Sequence, residues 1–225
     1  MSLQGRSVGL VVLGCRTNQY EGDALASALA DRGAVLADPA SGEALDAAIL
    51  VTCTVTAVAD RKVRQELRRL RRRHPRALLV ATGCWAQEAD PEEARGLGAD
   101  LLVGNRLKSL IPDLLERRLR GEPVSVVHRQ DLSRCDRWDP LVLGRRTRHT
   151  RAFVKVQDGC SHRCRYCIVP TVRGRSVSRP AEEVLGEVRR LAEQGCREVV
   201  LTGVHLGLYG RDRDTDLGDL VAALA

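Results

Sequence analysis

Aromatic side chains are scarce, with two Trp, three Tyr and one Phe in a chain of 225 residues. That makes the positions of Trp85, Phe153, Tyr166 and Tyr209 informative, because each falls within or beside a cysteine or glycine motif. No apolar run approaches the roughly 18–20 residues that cross a bilayer, so the expectation is no membrane partner. A basic leader followed by an apolar stretch and a small-residue cleavage site is also missing, and the sequence reads as cytoplasmic. In a reducing compartment eight cysteines are not expected to form a disulfide framework, which turns attention to metal ligation or catalysis.

The charge balance lacks an acidic excess. Net charge is +7, and nine Arg or Lys with one acid fall between Arg61 and Arg76. A second basic group holds Arg145, Arg146, Arg148 and Arg151. Two readings stay open for these runs: a solvated helix face, or contact with a polyanion such as a nucleic acid.

Hydrophobic periodicity alternates between strand and helix. Val8–Leu13 reads as a strand and Asn18–Arg32 as a helix with Leu25, Ala28 and Leu29 on one face. Strands at Ala48–Thr52, Ala77–Thr82 and Leu101–Val103 alternate with helices at Asp60–Arg73 and Leu107–Arg120. Such alternation predicts an α/β fold with a doubly wound parallel sheet over residues 1–121. Periodicity fades from Gly121 to Thr150, and residues 122–150 read as a linker. A new βαβ unit starts at Ala152–Gln157, continues in a helix at Pro180–Gln194 and returns at Glu198–Thr202. One such unit cannot close a barrel, so 151–225 is expected to be the start of a partial (βα) barrel.

Two cysteine sets carry the chemistry. Cys160, Cys164 and Cys167 form a CxxxCxxC loop directly after a strand. Three soft thiolates in so short a loop suit an iron–sulfur cluster and leave one iron of a [4Fe–4S] cube open to a small chelating ligand. The alternative is zinc, with His162 as fourth ligand. Cys15, Cys53 and Cys84 lie far apart in sequence, yet each ends a predicted parallel strand, at the edge where open α/β sheets bind ligands. Singly, each could be a small buried hydrophobe; together they suggest a second site. Cys135 and Cys196 fit neither set and read as structural.

The CxxxCxxC loop resembles that of the radical SAM superfamily. The longer segments Gly14-Cys15-Arg16-Thr17-Asn18-Gln19-Tyr20-Glu21, Thr52-Cys53-Thr54-Val55-Thr56, Gly83-Cys84-Trp85-Ala86-Gln87, Asp158 through Pro170, and Arg173-Gly174 resemble the methylthiotransferase family within it. The resemblance implies two [4Fe–4S] clusters, S-adenosylmethionine as cofactor, and an electron donor such as flavodoxin or ferredoxin. It implies that Tyr166 lies near the adenine of S-adenosylmethionine and Gly203 and His205 near its amino group, although His205 also reads as a plain strand-end residue. The implied substrate is a tRNA anticodon loop. Asn18-Gln19-Tyr20-Glu21 and the Gly-Val-His-Leu-Gly segment at 203–207 look like the branch that modifies N6-threonylcarbamoyladenosine. The other branches, acting on isopentenyladenosine or on a ribosomal-protein aspartate, usually show Asp-Ser where this chain has Glu21-Gly22. A non-catalytic iron–sulfur carrier would be expected to give each cluster four protein ligands, and each set here has three.

Overall fold

The computed structural model describes residues 3–144 and 151–225. Arg145, Arg146 and Arg148 of the second basic group lie outside the described residues, and Arg151 is exposed. In chain order the elements are β1 (Ser7–Val12), α1 (Arg16–Asp31), β2 (Val35–Ala37), β3 (Ala47–Thr52), α2 (Ala57–Arg73), β4 (Leu78–Gly83), α3 (Cys84–Glu88), α4 (Pro91–Gly96), β5 (Leu101–Val103), α5 (Ile111–Leu119) and β6 (Val127–His128). The second unit holds β7 (Ala152–Asp158), α6 (Val169–Arg173), β8 (Val177–Ser178), α7 (Ala181–Glu193), β9 (Val199–Gly203) and α8 (Leu217–Leu224).

The first sheet is all parallel in the order β2-β1-β3-β4-β5-β6. Every residue of β3 is buried, as expected of a central parallel strand covered on both faces. One face packs Val63, Leu67 and Leu70 of α2 with Trp85 and Ala94. The other packs Leu25 and Leu29 of α1 and Ile111 and Leu115 of α5, and its core runs on without a break into Val154 and Val156 of β7 and Val184 and Leu191 of α7. The two units therefore share one hydrophobic core. Strand order reverses between β1 and β3, which is the switch point where such sheets open a crevice at their carboxyl edge. The smaller sheet runs β8-β7-β9, with β7 and β9 parallel as the βαβ pattern requires and the two-residue β8 antiparallel.

Helix ends follow local chemistry. The Thr56 hydroxyl accepts from the Ala59 amide at the start of α2, and Arg71, Arg72 and Arg73 sit in its last turn against the negative end of the dipole. Pro91 opens α4 behind an Asp90 cap.

The segment expected to be a linker is instead built into the fold as far as Gly144. Val127–His128 adds a sixth strand to the sheet, and Leu132, Leu141 and Leu143 are buried. Asp139 accepts from the Lys108 and Ser109 amides, while Arg106 donates to the carbonyls of Cys135 and Arg137. Its anchors are single residues held by long-range side-chain bonds, so no periodicity marks them. Among the described residues no helix is long and apolar enough to cross a membrane.

Candidate functional site

All three separated cysteines sit at the carboxyl edge of the sheet: Cys15 after β1, Cys53 after β3 and Cys84 after β4. Cys15 is exposed, whereas Cys53 and Cys84 are buried. A Cβ on Gly14 would stand 2.8 Å from Cys53 Cβ and 3.2 Å from its Sγ, so the glycine lets the turn before Cys15 close onto Cys53. Asn18 fixes the same corner, its Nδ2 donating to the carbonyls of Leu13 (2.6 Å) and Thr52 (2.9 Å). Burial pushes the Cys53 thiol up, and the neighbouring Cys84 and Cys15 add to that shift.

The second set lies on the loop between β7 and α6. Cys160 hangs its amide on the Gly174 carbonyl, and the Cys167 amide turns back to the Cys164 carbonyl, both at 3.0 Å. His205 approaches this loop from the end of β9, with Nδ1 3.8 Å from Cys160 Sγ and its ring 5.1 Å from that of His162. Its amide donates to Gln157 Oε1 at 2.7 Å, and a Cβ on Gly203 would meet that same oxygen at 2.9 Å, so Gly203 permits the close approach. Tyr166 projects outward, 92% exposed. A pocket of about 340 Å³ opens beside the loop between Ser161, His162, Ser176 and Arg211. A larger cavity of about 490 Å³ lies at the opposite, amino edge around Gly5, Arg6 and Asp46, away from all six cysteines.

The two cysteine sets are tied together by side chains that the sequence marked only as motif residues, Asn18, Glu21, Asp158 and Arg173, with Lys108 and Lys155, which it did not mark. Arg173, in the last turn of α6, donates from Nη1 to Asp158 (2.9 Å) and Glu21 (3.1 Å) and from Nη2 to Glu21 (3.2 Å) and Asn18 Oδ1 (2.5 Å). Lys155 bridges Glu21 (2.8 Å) and Asp158 (3.1 Å), and Lys108 lies 3.3 Å from Glu21. Burial alone would raise the Glu21 carboxyl, but the charges of Arg173, Lys108 and Lys155 overcome it and hold the group well below the usual carboxylate range. A second buried cluster joins Tyr20 of α1, Glu187 of α7 and Arg179. Asn18, Tyr20 and Glu21 therefore face the other unit, and only Gln19 of that motif faces solvent. The signal available in the sequence was a charged residue placed next to each cysteine motif, Glu21, Asp158 and Arg173, in positions otherwise destined for burial.

The donor sets fit iron–sulfur chemistry. Each offers three soft thiolates, and the separated set faces a buried guanidinium suited to an anionic group. Among the described residues no three Cys, His, Asp or Glu side chains converge closely enough to share a single metal ion. Thiolates that serve separate irons of a cluster stand farther apart than the ligands of one ion.

An open α/β sheet with three cysteines on its rim, fused to a βαβ unit with a CxxxCxxC loop, defines a radical SAM protein with an added cysteine-bearing domain. Residues 7–104 match the family described as "Uncharacterized protein family UPF0004", and residues 154–224 match the radical SAM superfamily. The chain belongs to the methylthiotransferase family of radical SAM enzymes. It is 36% identical over 221 residues to the threonylcarbamoyladenosine tRNA methylthiotransferase MtaB of Aquifex aeolicus, covering 96% of this chain and 52% of that protein. The Bacillus subtilis protein of the same name is 33% identical, with 97% and 48% covered. A tRNA-2-methylthio-N(6)-dimethylallyladenosine synthase of Cereibacter sphaeroides is 34% identical, with 99% and 50% covered. The chain thus spans about half the length of the curated relatives it matches. Among solved structures, the radical S-adenosylmethionine methyltransferase TsrM of Kitasatospora setae superposes with a TM-score of 0.61 at 16% identity, over 91% of this chain and 50% of that one, a likeness of fold.

Proposed function

We propose that this chain carries both cofactor sites of a tRNA methylthiotransferase that converts N6-threonylcarbamoyladenosine at position 37, beside the anticodon, to its 2-methylthio derivative. The observation that carries the reading is the Asn18–Arg173–Asp158 connection, which links the helix that follows Cys15 to both ends of the three-cysteine loop. In this reading Cys160, Cys164 and Cys167 hold one [4Fe–4S] cluster and Cys15, Cys53 and Cys84 another. The bound cofactors would supply radical removal of hydrogen from C2 of the adenine, sulfur insertion and methyl transfer, fed by electrons from a flavodoxin- or ferredoxin-like donor. The chain's own part is to bind and orient. Gly203 and His205 shape the wall beside Cys160, and Tyr166 stands free to stack on an adenine ring.

Exposed cations are interleaved with the cysteines on the same edge, Arg16 beside Cys15 and Arg163 and Arg165 within the loop. Phosphate contacts there would hold an unstacked anticodon loop over the site. Two relatives named for threonylcarbamoyladenosine favour that branch, as does the Asn18-Gln19-Tyr20-Glu21 motif. Its buried residues act as interface keys, so substrate choice falls to residues on the open rim. Mass spectrometry of tRNA nucleosides from cells with and without the gene tests the reading. Loss of the 2-methylthio-threonylcarbamoyl nucleoside alone supports it. Loss of the 2-methylthio-isopentenyl nucleoside moves the protein to the second branch, and no change in either refutes a tRNA substrate.

A further inference from the structure

Beyond the cysteines themselves, the buried interface carries a charge imbalance. Arg106, Lys108, Lys155 and Arg173 are buried cations, and the buried carboxylates among them are Glu21, Asp139 and Asp158. Four against three leaves one positive charge in excess, where an uncompensated buried charge is costly. Burial pushes the Lys108 ammonium down, with Arg173 and Lys155 adding to the shift against the opposing pull of Glu21 and Asp139. The excess has a place to be balanced. Asn18 Oδ1 receives Arg173 Nη2 at 2.5 Å and lies 3.9 Å from Cys15 Sγ, so guanidinium and thiol converge on one oxygen. α6, which ends in Arg173, packs against α3, which begins at Cys84. The Arg106 guanidinium holds the Arg173 carbonyl at 3.0 Å and fixes the backbone behind the charge.

We propose that Arg173 is a positioning residue whose buried charge raises the reduction potential of the cluster held by Cys15, Cys53 and Cys84, with Glu21 opposing it. The proposal rests on the two-cluster reading above. One electron from an external low-potential reductant enters that cluster, no bond forms or breaks, and the added negative charge is stabilised by the guanidinium. A unit charge a few ångströms away in a medium of low effective dielectric is ample for a tenfold change in the reduced-to-oxidised ratio at fixed potential.

The test uses the full chain carrying Cys160→Ala, Cys164→Ala and Cys167→Ala, reconstituted anaerobically so that only the other three cysteines can hold a cluster. Redox titration followed by electron paramagnetic resonance reads the midpoint. Arg173→Gln should lower it by about 59 mV, the one-electron equivalent of a tenfold change, and Arg173→Lys should keep most of the original value. Glu21→Gln should raise it. Opposite signs from two substitutions in one network cannot come from general loosening. Should Arg173→Gln fail to load iron, Glu21→Gln decides alone, and an unchanged or lowered midpoint overturns the proposal. A loaded cluster indifferent to both substitutions overturns it while leaving the two-cluster reading intact; no iron uptake in the parent background overturns both.

Discussion

Glu187→Gln should destabilise the chain by about 3–5 kcal/mol, the range for removing one partner from a buried ion pair. Glu187 is fully buried on α7 and faces three donors: Arg179 Nη1, the Tyr20 hydroxyl at 3.2 Å and the Leu143 amide at 3.1 Å. The amide of Gln keeps one acceptor oxygen but removes the charge, which strands an Arg179 side chain that is only 1% exposed. Arg179 retains a weaker interaction, 3.4 Å from Nε to Glu183, whose side chain is 52% exposed, so the lower half of the range is expected. Because Tyr20, Leu143 and Glu187 belong to three different parts of the chain, the destabilisation falls on the join between the units. Chemical denaturation followed by circular dichroism gives the free energy. The double variant Arg179→Met with Glu187→Leu should recover much of the stability, since paired apolar replacement removes both charges at once. A cost below about 1 kcal/mol for Glu187→Gln, or a double variant no better than the single one, would show that this cluster is solvated in solution and does not bind the units together.

Tyr20→Phe should cost about 1–2 kcal/mol in the same assay, because Arg179 and the Leu143 amide still satisfy Glu187; a neutral result would make the hydroxyl redundant. In the full-length enzyme Cys53→Ala should abolish methylthio product yet leave reductive formation of 5′-deoxyadenosine, whereas Cys164→Ala should abolish both; retained methylthiolation by Cys53→Ala would reduce that cysteine to a packing residue. Anaerobically reconstituted chain should bind about eight irons if both sites hold [4Fe–4S] clusters, and stoichiometric zinc without iron would contradict this. Arg68→Glu with Arg72→Glu should flatten the salt dependence of tRNA binding by roughly 0.7–0.9 in log–log slope for each phosphate no longer neutralised. Those two exposed residues lie near the end of α2 away from the cysteine edge, a helix of 17 residues and so about 25 Å long, and an unchanged slope would confine RNA binding to the rim.

Long periodic elements were legible in the sequence because their burial repeats: β1, β3, β4, β5 and β7, and the helices α1, α2, α5 and α7, lie within a few residues of where apolar spacing puts them. The convergence of Cys15, Cys53 and Cys84 on one edge followed from parallel topology alone. Short elements escaped. β2 spans three residues with Val35 and Leu36 exposed, and β6 spans two, so neither offers a pattern to read. The interface was invisible for another reason. Glu21 and Arg173 are separated by 152 positions, and nothing local distinguishes a buried ion pair from two solvated charges until the units are docked. The same holds for α2, where Arg64 and Arg71 are already engaged by Asp60 and Asp100 and only part of the basic run is free for a polyanion.

The Asp158–Arg173 ion pair has a consequence for how the CxxxCxxC loop acquires its iron. The pair joins residues 15 positions apart, one at the mouth of each end of the loop, and so makes the segment that carries Cys160, Cys164 and Cys167 a closed ring. For an open chain, bringing the ends of such a segment together costs conformational entropy that grows with the logarithm of its length. Here the fold meets that cost before any metal arrives. Iron has only to order the side chains of a ring already closed, so affinity at this site should depend on the integrity of a salt link that never touches the metal.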